Sequence, residues 1–296
     1  MKLFGRRREP ERPPPTVAPG LLEWIDANAT PEAPEAVPSL LEGLGLPSRP
    51  SGTGLVMDIE GAELSVTPVE GSGCLHVMGV VPRRGSGSGT QALLEPLAAN
   101  AGSLGGHLAL RQDGYLVALA KPPVFGLEAG ALALSVEEVL RLGAAPWAGP
   151  TEERLRALRA AQRPAKEFVR ERVEACLEEL GLEWGRSEGG GAGGWEVTLD
   201  PGPAELRLRG EGEVLALTLV TIEMDASEDD EGLLQFLNEE TDLAGAWFAQ
   251  VERDGGGWLE LTTTIAASAL VPGAVAHGLL QLSDGLLRLF EKLRAS

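Results

Sequence analysis

Apolar and polar positions along this 296-residue chain fall into two similar series. In the first, the stretch 38–47, PSLLEGLGLP, predicts a short helix ended by glycine and proline. GLVMDIEG, AELSVTPVE and GCLHVMGVV follow as three strands, with alternation clearest at Leu64, Val66 and Val69. TQALLEPLAANAG predicts a helix that Pro96 kinks or shortens. GGHLALRQDGYLVALAKPP predicts a hairpin turned at Asp113-Gly114, and LSVEEVLRL a helix capped by Ser135 with Glu138 three residues on.

The second series repeats the order. Charged helices over 151–162 and 165–180 meet at Pro164, and Gly181 closes the second of them. PAELRLRGEGEVLALTLV parallels GAELSVTPVEGSGCLHVMGVV, both with Ala-Glu-Leu opening the middle strand. LLQFLNEE parallels LLEPLAAN, DGGGWLEL parallels RQDGYLVAL, and GLLRLF parallels EVLRLG. The last helix carries an apolar stripe at Val275, Leu279, Leu282, Leu286, Leu289 or Phe290, and Leu293. The expected fold is α+β: two tandem α-β-β-β-α-β-β-α repeats with antiparallel sheets covered by helices. The expected divisions are a disordered basic, proline-rich tail (1–20), a first, divergent repeat with an N-terminal apolar segment (21–150), and a second repeat (151–296). The apolar segment holds Leu21, Leu22, Trp24 and Ile25 between prolines. It is too short to be a helix alone, so it docks either on its own domain, the commoner outcome, or on a neighbouring subunit.

Charge changes this picture. The net charge is −19, and residues 151–296 hold 14 Lys+Arg against 28 Asp+Glu. Such a surface repels phosphate backbones, so direct nucleic-acid binding is disfavoured; only Arg6–Arg8 and Arg83–Arg84 argue for it. No apolar run is long enough to cross a membrane, and no secretory signal opens the chain, which points to the cytoplasm. Two cysteines, Cys74 and Cys176, fall in apolar patterns outside any CxxC pair and read as small buried hydrophobes.

Candidate chemistry is sparse. His76 and His107 fall on expected strands and His277 at a helix start, none at metal-ligand spacing. The acidic run Glu228–Glu231 after Ser227 reads as the first turn of a helix, where the dipole favours carboxylates. GSGSGT before a helix lacks the Lys-Ser/Thr ending of a phosphate loop. No catalytic, cofactor-binding or metal-ligating residue is expected. Trp247 and Trp258 stand on the two strands of the second hairpin, and Trp258 shares a face with Glu260, Thr262 and Thr264, opposite Leu259, Leu261 and Ile265. Those two, with Leu21 and Trp24, are the candidate partner-binding residues; packing within the molecule or at a homodimer contact is the alternative.

The stretch LLQFLNEETDLAGAWFAQVERDGGGWLELTTTIAASAL, with its L-x-x-x-L-N helix from Leu233 to Asn238, its hairpin and its long final helix, resembles the YbjN-like family, whose fold is similar to type III secretion chaperones. The resemblance covers most of residues 163–294 and extends through the duplication to 38–143, where Pro96 breaks the helix and Ala99 or Asn100 stands near the Leu-Asn position. It implies a non-enzymatic, dimeric, chaperone-like or adaptor protein that binds protein partners. The alanine-, glycine-, leucine-, arginine- and glutamate-heavy composition suits a high-GC bacterium, and this usage and the tandem arrangement together resemble those of a deinococcal member of the group. That likeness extends the expected partner to a single-stranded-DNA-binding repair protein and the role to the DNA damage response. The competing readings are a direct nucleic-acid accessory protein, and a small-ligand regulator or enzyme with a pocket between the repeats.

Overall fold

The computed structural model describes residues 19–29, 35–69, 72–81, 96, 98–111, 115–143, 150–187, 194–199, 203–224, 245–253 and 256–295. Two short helices open it, α1 (Pro19–Asn28) and α2 (Ala36–Gly43). The first sheet is built from β1 (Ser48–Ser51), β2 (Gly54–Ile59), β3 (Ala62–Val69), β4 (Cys74–Val80), β5 (Gly106–Leu110) and β6 (Leu116–Ala120). Three helices follow: α3 (Ala129–Gly143), α4 (Pro150–Gln162) and α5 (Lys166–Glu179). The second sheet contains β7 (Trp184–Arg186), β8 (Gly194–Val197), β9 (Ala204–Arg209), β10 (Val214–Met224), β11 (Trp247–Arg253) and β12 (Gly256–Ala266). The long helix α6 (Pro272–Ala295) closes the chain.

Both sheets are antiparallel, and their strand orders match. The first runs β1-β2-β3-β4-β6-β5 and the second β7-β8-β9-β10-β12-β11. In each, the third strand opens with Ala-Glu-Leu, at Ala62–Leu64 and at Ala204–Leu206. In each, the second strand of the hairpin pairs inward with the fourth strand, leaving β5 and β11 at an edge. The opposite edges, β1 and β7, are the strands that sequence patterning passes over. SRPS is polar and carries Pro50, and WGR is three residues long, so neither shows an alternation to detect. Among the described residues each sheet thus has six strands where five were expected.

Alternation dictates which face each sheet buries. On β4, Leu75 and Val77 enter a core with Leu64, Val66, Ala118 and Ala120, roofed by Val37 and Leu41 of α2 and by Leu132, Val136 and Val139 of α3. In the second sheet, Leu206, Leu215, Leu217, Leu259, Leu261 and Ile265 meet Val169, Val173 and Leu177 of α5 and Val275, Leu279, Leu282 and Leu286 of α6. The expected stripe on the last helix is therefore buried as far as Leu286. Gly45 and Gly181 take positive φ just past the ends of α2 and α5, a geometry that glycine adopts without strain.

Two local expectations are corrected. Ser135 does not cap a helix: α3 begins six residues earlier, at Ala129, and the Ser135 hydroxyl donates back to the Ala131 carbonyl at 2.9 Å. The apolar run Ala131–Leu134 forms part of the first turns of that helix. The apolar segment at 21–25, grouped in sequence with the first repeat, packs against α6 of the second unit, and Leu21 belongs to that unit's core. The hairpin tip 112–114, the glycine-rich stretches 85–89 and 188–193, and the acidic stretch 225–231 lie outside the described residues.

Candidate functional site at the junction of the two sheets

The edge strands β5 and β11 belong to different sheets yet meet through side chains. Asn100 is buried, and it satisfies the outward backbone of β5: its Nδ2 donates to the Leu108 carbonyl at 3.1 Å, and its Oδ1 accepts from the Leu108 N–H at 2.6 Å. The same Nδ2 also donates to the Phe248 carbonyl of β11 at 3.1 Å. One residue along each strand, His107 stacks on Trp247 with ring centroids 5.0 Å apart and planes 4° apart. Both rings are buried, and among the described residues neither His107 nitrogen nor Trp247 Nε1 has a hydrogen-bond partner.

A second junction joins β4 to α6. Cys74 Sγ lies 3.2 Å from His277 Nε2, and the His277 ring tilts against Phe125 with centroids 5.3 Å apart. Burial pushes the Cys74 thiol up to about 12, with the Lys121 charge opposing. Burial alone lowers His277 to about 4. The pair is therefore a neutral thiol beside a neutral imidazole, the reverse of the thiolate–imidazolium pair a nucleophile needs. His76 is lowered to about 4 by burial and then by Lys121, and His107 falls well below its ordinary value by burial, then Lys121, then His76. The fold gathers the chain's three histidines about this junction, from β4, β5 and α6, in uncharged form. Among the described residues no group of three histidine, cysteine or carboxylate side chains could hold a metal ion.

Charged groups form a separate belt around α3, which is buried from Gly130 to Leu140. Glu137 pairs with Arg159 of α4, and Arg159 also reaches Glu213 at 2.5 Å, just after the turn that joins β9 to β10. Arg163 binds Glu213 and Glu211. A cleft opens here, lined in part by Leu134, Arg159, Arg163 and Glu213, but its arginines are already held by carboxylates. On the other side of α3, Glu138 accepts from Ser103 at 2.5 Å, from the Leu104 N–H at 2.9 Å, and from both Arg141 donors at 2.9 Å. Burial works against its charge, yet these bonds and the Arg141 charge hold its carboxyl below the usual range.

The expected partner-binding residues separate. Trp247 is inside the molecule against His107, so it is an internal packing residue rather than an outward anchor. Trp258 is half-buried, opposite Val251 of β11 and Glu223 of β10. Its face is the predicted one: Glu260, Thr262 and Thr264 lie on the side away from the core, although all three are buried. Leu21 and Trp24 sit together on α1 against the second unit. Asn100, His107, Cys74 and His277 are the junction residues that reading the sequence did not single out together. Each has a partner in the unit of the other sheet, and no local spacing marks them. No protein-family model matches the chain, and no curated protein is significantly similar to it. Among the described residues no helix is long and apolar enough to cross a membrane.

Proposed function

We propose that this chain is a non-enzymatic, chaperone-like adaptor: two copies of one YbjN-like, type III secretion chaperone-like unit whose task is to bind a protein partner. The observation that carries this reading is the shared strand order of the two sheets, with Ala-Glu-Leu opening the third strand of both. The buried junction also supports it, because the Cys74 thiol and its neighbour His277 are both held uncharged. The partner is a single-stranded-DNA-binding repair protein of the same cytoplasm, met during the response to DNA damage. The chain's charge of −19 favours contact with a basic protein surface over contact with nucleic acid. The adaptor acts as a homodimer, through a surface other than the edges of β5 and β11 that already meet within one chain.

The test is co-elution of the purified full chain with such a repair protein after nuclease treatment. A stable complex that survives nuclease is the expected result. Binding of a single-stranded oligonucleotide by the chain alone, steeply weakened by salt, would overturn it in favour of direct nucleic-acid contact. Light scattering of the chain alone reads the dimer.

A further inference from the structure

We infer that the two units pair about an internal twofold axis between His107 and Trp247, with their N-terminal helices exchanged across it, and that the surface each unit presents there is one that fits a second copy of the same unit. This goes beyond the adaptor reading and does not rest on it.

Strand registers place the axis. From His107 the ladder crosses Leu119, Met78, Ser65 and Val56 to Arg49, one residue from each strand. From Trp247 it crosses Thr262, Thr218, Glu205 and Glu196 to Gly185. Among the described residues, this second rank is the only one in its sheet that touches all six strands. His107 and Trp247 therefore hold the same place in their sheets. The sequence agrees: they stand 140 positions apart, as do Leu93 and Leu233, which open LLEPLAAN and LLQFLNEE. Gly105 and Gly245 share that spacing. A Cβ on Gly105 would meet Leu134 of α3 at 3.4 Å and Thr264 of the other unit at 3.9 Å. One on Gly245 would meet Gln281 of α6 at 2.9 Å and Cys74 of the other unit at 3.2 Å. Leu134 and Gln281 are in turn 147 positions apart, as are EVLRLG and GLLRLF. The same contact is made twice, once in each direction, as it is in an isologous interface.

The N-terminal helices obey the same axis. α1 precedes α2 as α4 precedes α5, and the paralleled LLEGLGL and CLEELGL run through the ends of α2 and α5. α1 packs on α6 of the second unit, with Leu21 in its core and Trp24 against it. α4 packs on α3 of the first unit, with Leu155 in that core and Leu158 against it, at the same i, i+3 spacing. Each arm thus crosses to the closing helix of the unit opposite. The groups that meet beside the axis are uncharged: His107 with Trp247, Asn100 with Phe248, and the Cys74 thiol with His277. Two units of a chain with charge −19 come together there without like-charge repulsion.

The test is made in the full chain. Combining His107→Trp with Trp247→His puts each ring in the other's place. Positions related by the axis accept the reversed pair, so the double variant should have a urea midpoint above those of both single variants, a non-additive recovery read as a double-mutant cycle. A double variant at or below either single would overturn the pairing. Native-state hydrogen exchange reads the arms in variants that keep both rings. Leu282 of α6 and Leu132 of α3 are fully buried. Leu282→Ala should speed exchange of α1 amides at least about tenfold more than that of α4 amides, and Leu132→Ala should do the reverse. The opposite pattern, or equal acceleration of both arms, would overturn the exchange of helices. Neither readout involves the repair protein, so failure here leaves the adaptor reading standing, and failed co-elution leaves the twofold pair standing.

Discussion

The imidazole of His107 and the indole of Trp247 lie parallel, 5.0 Å between centres, one from each of two sheets that share no backbone ladder. The two units are tied here by a ring contact and one asparagine amide. Truncating Trp247 to alanine is expected to cost about 3–5 kcal/mol, the usual loss for a buried large aromatic. The loss should fall on the coupling between units, so denaturant unfolding should separate into two transitions where the wild type shows one. Trp247→Phe should retain most of the coupling.

Acid should loosen the same junction. His277 and His76 titrate near 4 in the folded chain and His107 well below its ordinary value, while all three titrate near 6.5 when unfolded. Unfolding therefore takes up protons between those values, and stability is full above about pH 6.5 and lost as pH falls towards 4. For buried His277 alone the loss is on the order of 3 kcal/mol. Thermal midpoints measured from pH 7.5 to 4.5 should fall through this window, and His277→Gln should flatten part of the slope. The carboxyl of Glu138, held below its usual value, adds a further loss only at lower pH.

Arg159 bridges Glu137 and Glu213, both nearly buried. Arg159→Met keeps much of the side-chain volume but leaves two carboxylates without that partner. The expected cost is about 3–5 kcal/mol, read by urea titration. Replacing all three charges with apolar residues of similar volume should recover much of it.

Neither cysteine should react in the folded chain. Burial raises Cys74 to about 12 and Cys176 to about 11. A thiol-disulfide reagent at pH 8 should titrate close to no thiol until denaturant is added, and both afterwards. Fast labelling of Cys74 in the native chain would contradict the Cys74–His277 contact.

Gly126 has φ of +64°, and a Cβ there would come within 2.9 Å of Val271 Cγ2 in the second unit. Gly126→Ala should cost about 1–3 kcal/mol from the left-handed backbone and the collision together, seen as a lower thermal midpoint.

What was legible in the sequence was periodic. The paired Ala-Glu-Leu strands, the face that Trp258 shares with Glu260, Thr262 and Thr264, and the buried stripe of α6 all follow from spacing within one element. What escaped was set by context. β1 and β7 are strands only because a neighbour pairs with them. Ser135 has the local look of a cap, and lost that role when apolar residues upstream of it found a core and extended the helix. The junction of Cys74 with His277 joins residues 203 positions apart, so only the packing of the two units brings them together.

The outer rims of the sheets carry a last consequence. β1 has Pro50, which cannot donate to a further ladder, and β7 is three residues long, while the β5 and β11 rims face each other through Asn100. Fibril growth by strand addition has little template here even at high concentration. A crowded stock of this chain should stay free of dye-binding cross-β aggregates for as long as the two units remain closed on one another.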